Sequence, residues 1–243
     1  MENIINRHEK VVLMFSGGKD SVACLYLLKP FLDKITVLWV NPGDMFEENL
    51  AIIGQCKAMV PNFLEVKSDA VGFRKEYGDP VDILVVNHTH LGEISEGEKP
   101  LKVISGYDCC SVNYWKPAVD AISALGATLI IRGQRNDERA TSPVRSGGIV
   151  DGVEYLFPLE NWSQADVLKY LIEVGFEVPE FFHFSESSMD CKTCTAFLHD
   201  FTDRSEYMAK KHPELHACNK TKLQNIIANI EAELIQMKEA ARG

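Results

Sequence analysis

The stretch VVLMFSGGKDSVACLYLL, residues 11 to 28, constrains the fold more than any other part of this chain. The apolar run Val11–Phe15 reads as a buried strand. It stops at Ser16-Gly17-Gly18-Lys19-Asp20-Ser21, and a helical apolar pattern follows over Ser21–Lys29. Paired glycines allow positive φ and let a ligand approach the main chain. Loop N–H groups and the start of the next helix together form an anion cradle. Lys19 adds a point charge, and Ser16 and Ser21 add hydroxyl donors. Such a turn suits phosphate groups. It is not the Gly-x-x-x-x-Gly-Lys-Ser/Thr loop, and it contains no Gly-x-Gly-x-x-Gly.

The rest of the first two thirds repeats this alternation. Strands are predicted at Val11–Phe15, Ile35–Val40, Phe63–Val66, Ile83–Val86, Lys102–Ile104 and Thr128–Arg132. Helices are predicted at Ser21–Lys29, Glu47–Met59, Val112–Leu125 and Gln164–Val174, with Gly126 as a helix stop and Ser163/Asp166 as a capping box. Continuous apolar strands between helices predict an α/β fold: a Rossmann-like, mostly parallel sheet covered by helices on both faces. From about residue 181 strand signals vanish. The expected division is therefore an α/β nucleotide-binding domain over 1–180 and a C-terminal segment, 181–243, packed on it. A helix over Thr221–Ala241 carries an apolar stripe, which reads either as a packing face or as a homodimer contact.

The loop hexapeptide resembles the PP-loop of the adenine-nucleotide alpha-hydrolase superfamily. That group includes ATP pyrophosphatases, tRNA-thiolating enzymes and the reductases of phosphoadenylyl sulfate (PAPS) and adenylyl sulfate (APS). The resemblance implies an adenine nucleotide (APS, PAPS or ATP) across the strand ends, with its phosphates in the loop. Asp20 then reads as a Mg²⁺ ligand or as a cap of the helix start. The segment WVNPGDMFEENL after the second strand resembles the family's Asp-Thr-Gly element. Asn41 and Pro42 replace Asp and Thr, and Gly43 is kept.

Seven cysteines are present, among them the adjacent pair Cys109-Cys110 and the Cys-x-x-Cys pair Cys191/Cys194. Neighbouring side chains point apart, so Cys109 and Cys110 suit one tetrahedral zinc poorly. An iron–sulfur cluster offers each thiol a separate iron. Zinc and buried free thiols stay open on spacing alone. Cys-Cys, about eighty residues, then Cys-x-x-Cys resembles the [4Fe-4S] signature of assimilatory APS reductases. MDCKTCTAF resembles their Gly-Cys-x-x-Cys-Thr element, with Thr195 retained. Lys116 and Lys192 are candidate cations beside such a cluster. Cys24 and Cys56 lie on helical apolar patterns and read as core.

IIRGQRNDERATSPVR supplies Arg132, Arg135, Arg139 and Arg145 at a predicted strand end, where open α/β sheets place their sites. Guanidinium forks match phosphate and sulfate oxygens. Gly133, Arg135 and Arg139 resemble the family's Gly-x-Arg-Arg element. Interleaved Asp137 and Glu138 allow the plainer reading of a solvated ion-pair loop.

The resemblance runs from about Val11 to Phe197 and then departs. The reductases carry a C-terminal Glu-Cys-Gly-Leu/Ile-His whose thiol attacks sulfate sulfur, and a thioredoxin resolves the product. Here the late candidate is Cys218, in LHACNKTK, without that Gly and His. The family's Arg-Lys after the cysteine pair is Asn113-Tyr114 here, and the first lysine is Lys116, the candidate sulfate contact. The intact Ser-Gly-Gly-Lys-Asp-Ser is more typical of relatives that cleave ATP. Three functions follow as expectations. The first is a thiol-dependent APS/PAPS reductase with an iron–sulfur cluster and a thioredoxin-like reductant. The second is an ATP pyrophosphatase that adenylylates an acceptor in nucleic-acid thiolation. The third is a nucleotide sensor with a structural cluster.

Lys plus Arg is 25 against 35 Asp plus Glu, a net charge of −10, which argues against a broad nucleic-acid surface. No apolar run approaches membrane-span length, and MENIINRHEK lacks the apolar core of a signal peptide. The expectation is a cytoplasmic protein.

Overall fold

The computed structural model describes residues 1–138, 142–183, 191–198 and 201–242. In chain order the elements begin α1 (Glu2–Asn6), β1 (Val11–Met14), α2 (Lys19–Leu27), β2 (Ile35–Asn41), α3 (Glu47–Lys57) and β3 (Phe63–Lys67). Next come α4 (Ala70–Tyr77), β4 (Asp79–Val81), α5 (His90–Glu96), β5 (Val103–Ser105) and α6 (Gly106–Cys110). A π-helical turn, Ser111–Trp115, leads into α7 (Lys116–Ala124), β6 (Leu129–Ile131), β7 (Ile149–Val150), β8 (Val153–Leu156) and α8 (Gln164–Glu173). The chain closes with α9 (Phe201–Lys211) and α10 (Pro213–Ala240).

These elements form two compact units: residues 1–41, 45–68 and 114–189 make the first, and 42–44, 69–113 and 190–243 the second. In the first unit a six-stranded sheet runs β3-β2-β1-β6-β8-β7. All its neighbours are parallel except the β7–β8 hairpin. Central β1 pairs Val11 with Ile35 on one side and Leu129 on the other. Side chains alternate across the strand. Val12 and Leu38 pack with Ala121, Ile122 and Leu125 around α7. The opposite set, Val11, Leu13 and Phe15, is also buried. Helices α2 and α8 pack together, and Tyr26 of α2 stands edge-on to Phe176. The chain thus has the expected α/β Rossmann-like fold, mostly parallel, with helices on both faces and a helical C-terminal extension.

Several expectations hold at the residue level. Gly126 ends α7 at φ 63°, and the Ala127 and Gly126 N–H groups return to the helix carbonyls. Ser163 and Asp166 form the reciprocal capping box of α8. Two do not. Val112–Leu125 is not one α-helix, because Pro117 has no N–H to give residue 113 and its ring crowds that carbonyl; the turn opens to π and α7 starts at Lys116. Ile83–Val86 is not a strand. The ladder to Val103–Ser105 is taken by Asp79–Val81, leaving Ile83 and Val86 exposed.

In the second unit β4 and β5 form a short parallel pair. Val81 and Val103 pack on Ile226 and Ile230 of α10. Lys222 of α10 reaches Asp79 at 2.6 Å.

Candidate functional site

The loop after β1 is tied together by its own hydroxyls. Phe15 still donates to Leu38 as a last ladder bond, at 2.9 Å. The Ser21 hydroxyl then donates to the Gly18 carbonyl at 2.9 Å and accepts from the Ser16 N–H at 3.3 Å. The Gly18 N–H donates to the Ser16 hydroxyl at 3.3 Å. Gly17 takes φ 78°, and a β-carbon there would come within 3.0 Å of Ile53. The positive φ calls for glycine, and a β-carbon would also press on the Ile53 side chain. Helix α2 starts at Lys19 with no side-chain cap, so Asp20 does not act as one.

Behind the loop lies a buried charge cluster. Lys19 is only 2% exposed, and its ammonium stands 3.5 Å from Asp20. Burial pushes the Lys19 pKa down; Asp20 opposes this and Arg135 adds to it. Arg135, also 2% exposed, puts Nε 2.7 Å from Asp20 Oδ1 and Nη1 2.5 Å from Asp137 Oδ1. The Asp20 contact is charge against charge, since its N–H is not aligned as a hydrogen bond. Glu138 Oε1 stands 4.0 Å from Arg135 Nε, and burial with Asp20 nearby pushes its pKa up to about 7.

Gly133 shows how this cluster is held. A β-carbon on it would lie 2.8 Å from the Asp20 carbonyl carbon and 3.0 Å from the Ser21 nitrogen. The segment after β6 therefore runs against the start of α2, and Arg135 arrives beside Asp20. The other arginines differ. Arg132 is exposed, and Arg145 donates to Asn136 at 2.5 Å. Arg139 lies outside the described residues.

The second unit gathers the cysteines. Cys109 and Cys110 end α6, and Gly106 at its start would bring a β-carbon within 2.6 Å of Ala196 Cβ. Cys109 and Cys194 are buried, while Cys110 and Cys191 are half-buried; none is in a disulfide. Asn113 donates to the Cys109 carbonyl at 2.9 Å, and Arg204 to the Cys194 carbonyl at 3.1 Å. Buried Arg74, from α4, pairs with Asp44. It also donates to Thr193 Oγ1 at 3.0 Å. Thr193 in turn gives Asp44 its N–H at 3.1 Å and its hydroxyl at 2.6 Å. Gly43, at φ 76°, turns the chain into Asp44.

Burial pushes the Cys191 thiol up to about 12 and the Cys109 thiol upward, while Arg74 pulls both down. Burial works against charge on Arg74 as well, but Cys191 and Asp44 outweigh it and its pKa is raised. Among the described residues, no three His, Cys, Asp or Glu side chains converge as a metal-holding group. Cys24 and Cys56 are core residues, as expected.

Lys116 is an exposed surface residue, paired with Asp120 at 2.5 Å. Cys218 is exposed on α10. Sequence reasoning missed Arg74, Asp44, Thr193 and Glu138. Asp44 beside Gly43, Thr193 inside the Cys-x-x-Cys and Glu138 inside the arginine segment lay within motifs already marked; Arg74 did not.

No helix among the described residues is long and apolar enough to cross a membrane. The chain shares 27% identity over 186 residues with 7-cyano-7-deazaguanine synthase of Pyrococcus horikoshii, covering 67% of this chain and 70% of that protein. It also shares 27% identity over 214 residues with sulfate adenylyltransferase subunit 2 of Streptomyces lavendulae, covering 75% of this chain and 59% of that relative. In structure it resembles the phosphoadenylyl-sulfate (PAPS) reductase of Candida auris, solved with phosphate. The TM-score is 0.51 at 16% identity, over 74% of this chain and 81% of that one, a likeness of fold. The model of the phosphoadenosine phosphosulfate reductase domain matches residues 10–197, which contain the glycine–lysine loop and both cysteine pairs but not Cys218. The chain therefore belongs to the phosphoadenosine phosphosulfate reductase domain family.

Proposed function

We propose that this chain is an APS or PAPS reductase whose loop, Ser16–Ser21, takes the anionic tail of the nucleotide. The observation that carries the reading is a glycine-rich turn at the carboxyl end of central β1, backed by the buried cations of Lys19 and Arg135. Main-chain N–H groups and these cations suit charge that grows on a leaving phosphate. Gly17, Gly18, Gly133 and Arg135 line this site in the proposal. Arg132, Arg139 and Arg145 are the further candidates toward the nucleotide, and Gly43 the candidate beyond β2. Asp20 engages Arg135 and Lys19, so a Mg²⁺ role for it would require giving up those partners.

Cys109, Cys110, Cys191 and Cys194 are the donors the sequence offers an iron–sulfur cluster, but as placed they do not fit one, since no three such side chains gather as a metal-holding group among the described residues. All four lie in one unit and none is in a disulfide. In the reaction proposed, the Cys218 thiolate attacks the sulfate sulfur. The bond from that sulfur to the phosphate oxygen breaks, the nucleotide monophosphate leaves, and a Cys–S–SO₃⁻ adduct forms. A dithiol of the thioredoxin type then releases sulfite and becomes the disulfide. Sulfite release from APS or PAPS by anaerobically purified protein, and its loss in Cys218→Ser with nucleotide affinity intact, is the expected result. No sulfite from iron-loaded protein with either nucleotide would reject it.

A second reading has its own support. Both curated relatives are named for reactions other than sulfate reduction, and the motif Ser16–Ser21 is intact. In that reading the loop holds ATP and stabilises departing pyrophosphate while an acceptor is adenylylated. Acceptor-dependent pyrophosphate release, with no sulfite from APS or PAPS, would favour it.

A further inference from the structure

Asn49 sits in the first turn of α3, and its side chain is fully buried. A carboxamide carries two N–H donors and an acceptor oxygen, all of which need partners away from water. Among the described residues neither Nδ2 nor Oδ1 of Asn49 has one. Its helix neighbours Ile52 and Ile53 are buried and apolar. A leucine would fill nearly the same space without the cost of an unpaired polar group. Packing therefore does not explain the residue, and an amide buried in this way calls for another role.

The amide stands beside the glycine–lysine loop. A β-carbon on Gly17 would lie 3.8 Å from Asn49 Nδ2 and 3.0 Å from the Ile53 side chain. The loop, meanwhile, is bonded to itself. The Ser16 N–H goes to the Ser21 hydroxyl and the Gly18 N–H to the Ser16 hydroxyl, both at 3.3 Å. These are long for N–H···O hydrogen bonds, and correspondingly weak. An anion seated on the loop competes for the same two N–H groups with a full charge in its favour.

We infer that Asn49 is the positioning residue of the loop: its carboxamide is the reserve partner of the Gly17 main chain, engaged when an anion takes the Ser16 and Gly18 N–H groups from the serine hydroxyls. Gly17 joins those two donors, and a glycine at positive φ has the freedom to re-aim its peptide. The amide then gains the partner it lacks, and that gain favours the anion-bound loop over the self-bonded one. This rests on the reading of Ser16–Ser21 as the nucleotide loop.

The test compares wild type, Asn49→Leu and Asn49→Asp, with circular dichroism as the check of fold. Calorimetry measures binding of ATP, APS and PAPS, and thermal melts without nucleotide measure the free protein. Asn49→Leu removes the unpaired amide, so it should melt at or above the wild-type temperature. It should bind the nucleotide that wild type accepts about tenfold more weakly. Asn49→Asp puts a carboxylate beside the loop. Its affinity relative to wild type should be lowest near about pH 8 and recover toward about pH 5, as protonation restores a donor. Taking the ratio to wild type cancels the titration of Glu138, which both proteins share. A side chain that only filled space would give no such recovery. Unchanged affinity in Asn49→Leu, or an Asn49→Asp deficit that is the same at every pH, would overturn the assignment of Asn49. If Asn49→Leu fails to fold, the pH profile of Asn49→Asp decides alone. A wild type that binds none of the three nucleotides would overturn the loop reading itself, and this assignment with it.

Discussion

Replacing Glu138 with glutamine removes a carboxyl that the fold holds far above its usual range. The cause is burial first and the neighbouring Asp20 second, with Arg135 and Lys19 opposing. The rise from 4.5 to about 7, at about 1.4 kcal/mol per tenfold change in proton affinity, sets a ceiling of about 3.5 kcal/mol. The side chain is 27% exposed, so water screens part of this, and about 1–3 kcal/mol is expected. The sign follows from the direction. A carboxyl with a raised folded pKa contributes stability that is fully present below 4.5 and is lost as pH rises through about 7. Glutamine does not titrate, and its carbonyl can keep accepting the hydrogen bond from Gln134. Urea unfolding at fixed ionic strength, from roughly pH 4 to roughly pH 8, should therefore show Glu138→Gln gaining on wild type by about 1–3 kcal/mol as pH rises. A pH-independent difference, or wild type gaining on the variant, would show that Glu138 is solvated and that the charge cluster is not buried as described.

Two further substitutions probe the same loop. Gly133→Ala places a methyl 2.8 Å from the Asp20 main chain, whereas Gly126→Ala meets nothing within 4 Å and strains only a φ of 63°. Thermal melts should show about 1 kcal/mol lost for Gly126→Ala and at least twice that, with weaker nucleotide binding, for Gly133→Ala. Lys19→Met exchanges a 2%-exposed ammonium for an apolar chain of similar length, so folding stability should hold or rise slightly. Adenine-nucleotide affinity, measured by calorimetry, should fall about tenfold or more, as expected for a lost charge-assisted contact; unchanged affinity would remove Lys19 from the site.

The sheet and its loop were legible because both follow from local rules. Val11–Phe15 must be buried, Gly17 and Gly18 must turn, and the next pattern has helical period. The β7–β8 hairpin was legible too, and overlooked: Asp151 at φ 50° and Gly152 at φ 80° are the Asp-Gly pair that such tight turns demand. Ile83–Val86 misled because an apolar run says nothing about who supplies the ladder. Pro117, in contrast, was a visible break inside a predicted helix. The cysteine environment was illegible in principle. Arg74 and Asp44 are thirty residues apart and Asp44 and Thr193 a further 149, so their meeting is a tertiary outcome. Which arginine of the 132–145 segment goes inside is likewise decided by burial. Arg135 and Arg132 look alike on paper, yet one is buried against Asp20 and the other exposed.

The charge cluster also bears on how an anion would be received by a chain of net charge −10. Lys19 and Arg135 are already faced by Asp20, Asp137 and Glu138, so the loop's cations are compensated before any ligand arrives. A polyphosphate brings more negative charge to the same neighbourhood. The group able to adjust is the one that titrates near neutrality, and that is Glu138. An added anion raises a carboxyl pKa, so binding should take up a proton, by up to about half an equivalent near pH 7 where the group is about half ionised. Calorimetric titration of ATP, APS or PAPS in two buffers of different ionisation enthalpy reads this directly. Uptake should appear in wild type and vanish in Glu138→Gln. Proton release, or uptake that persists in the variant, would place the anion away from this cluster.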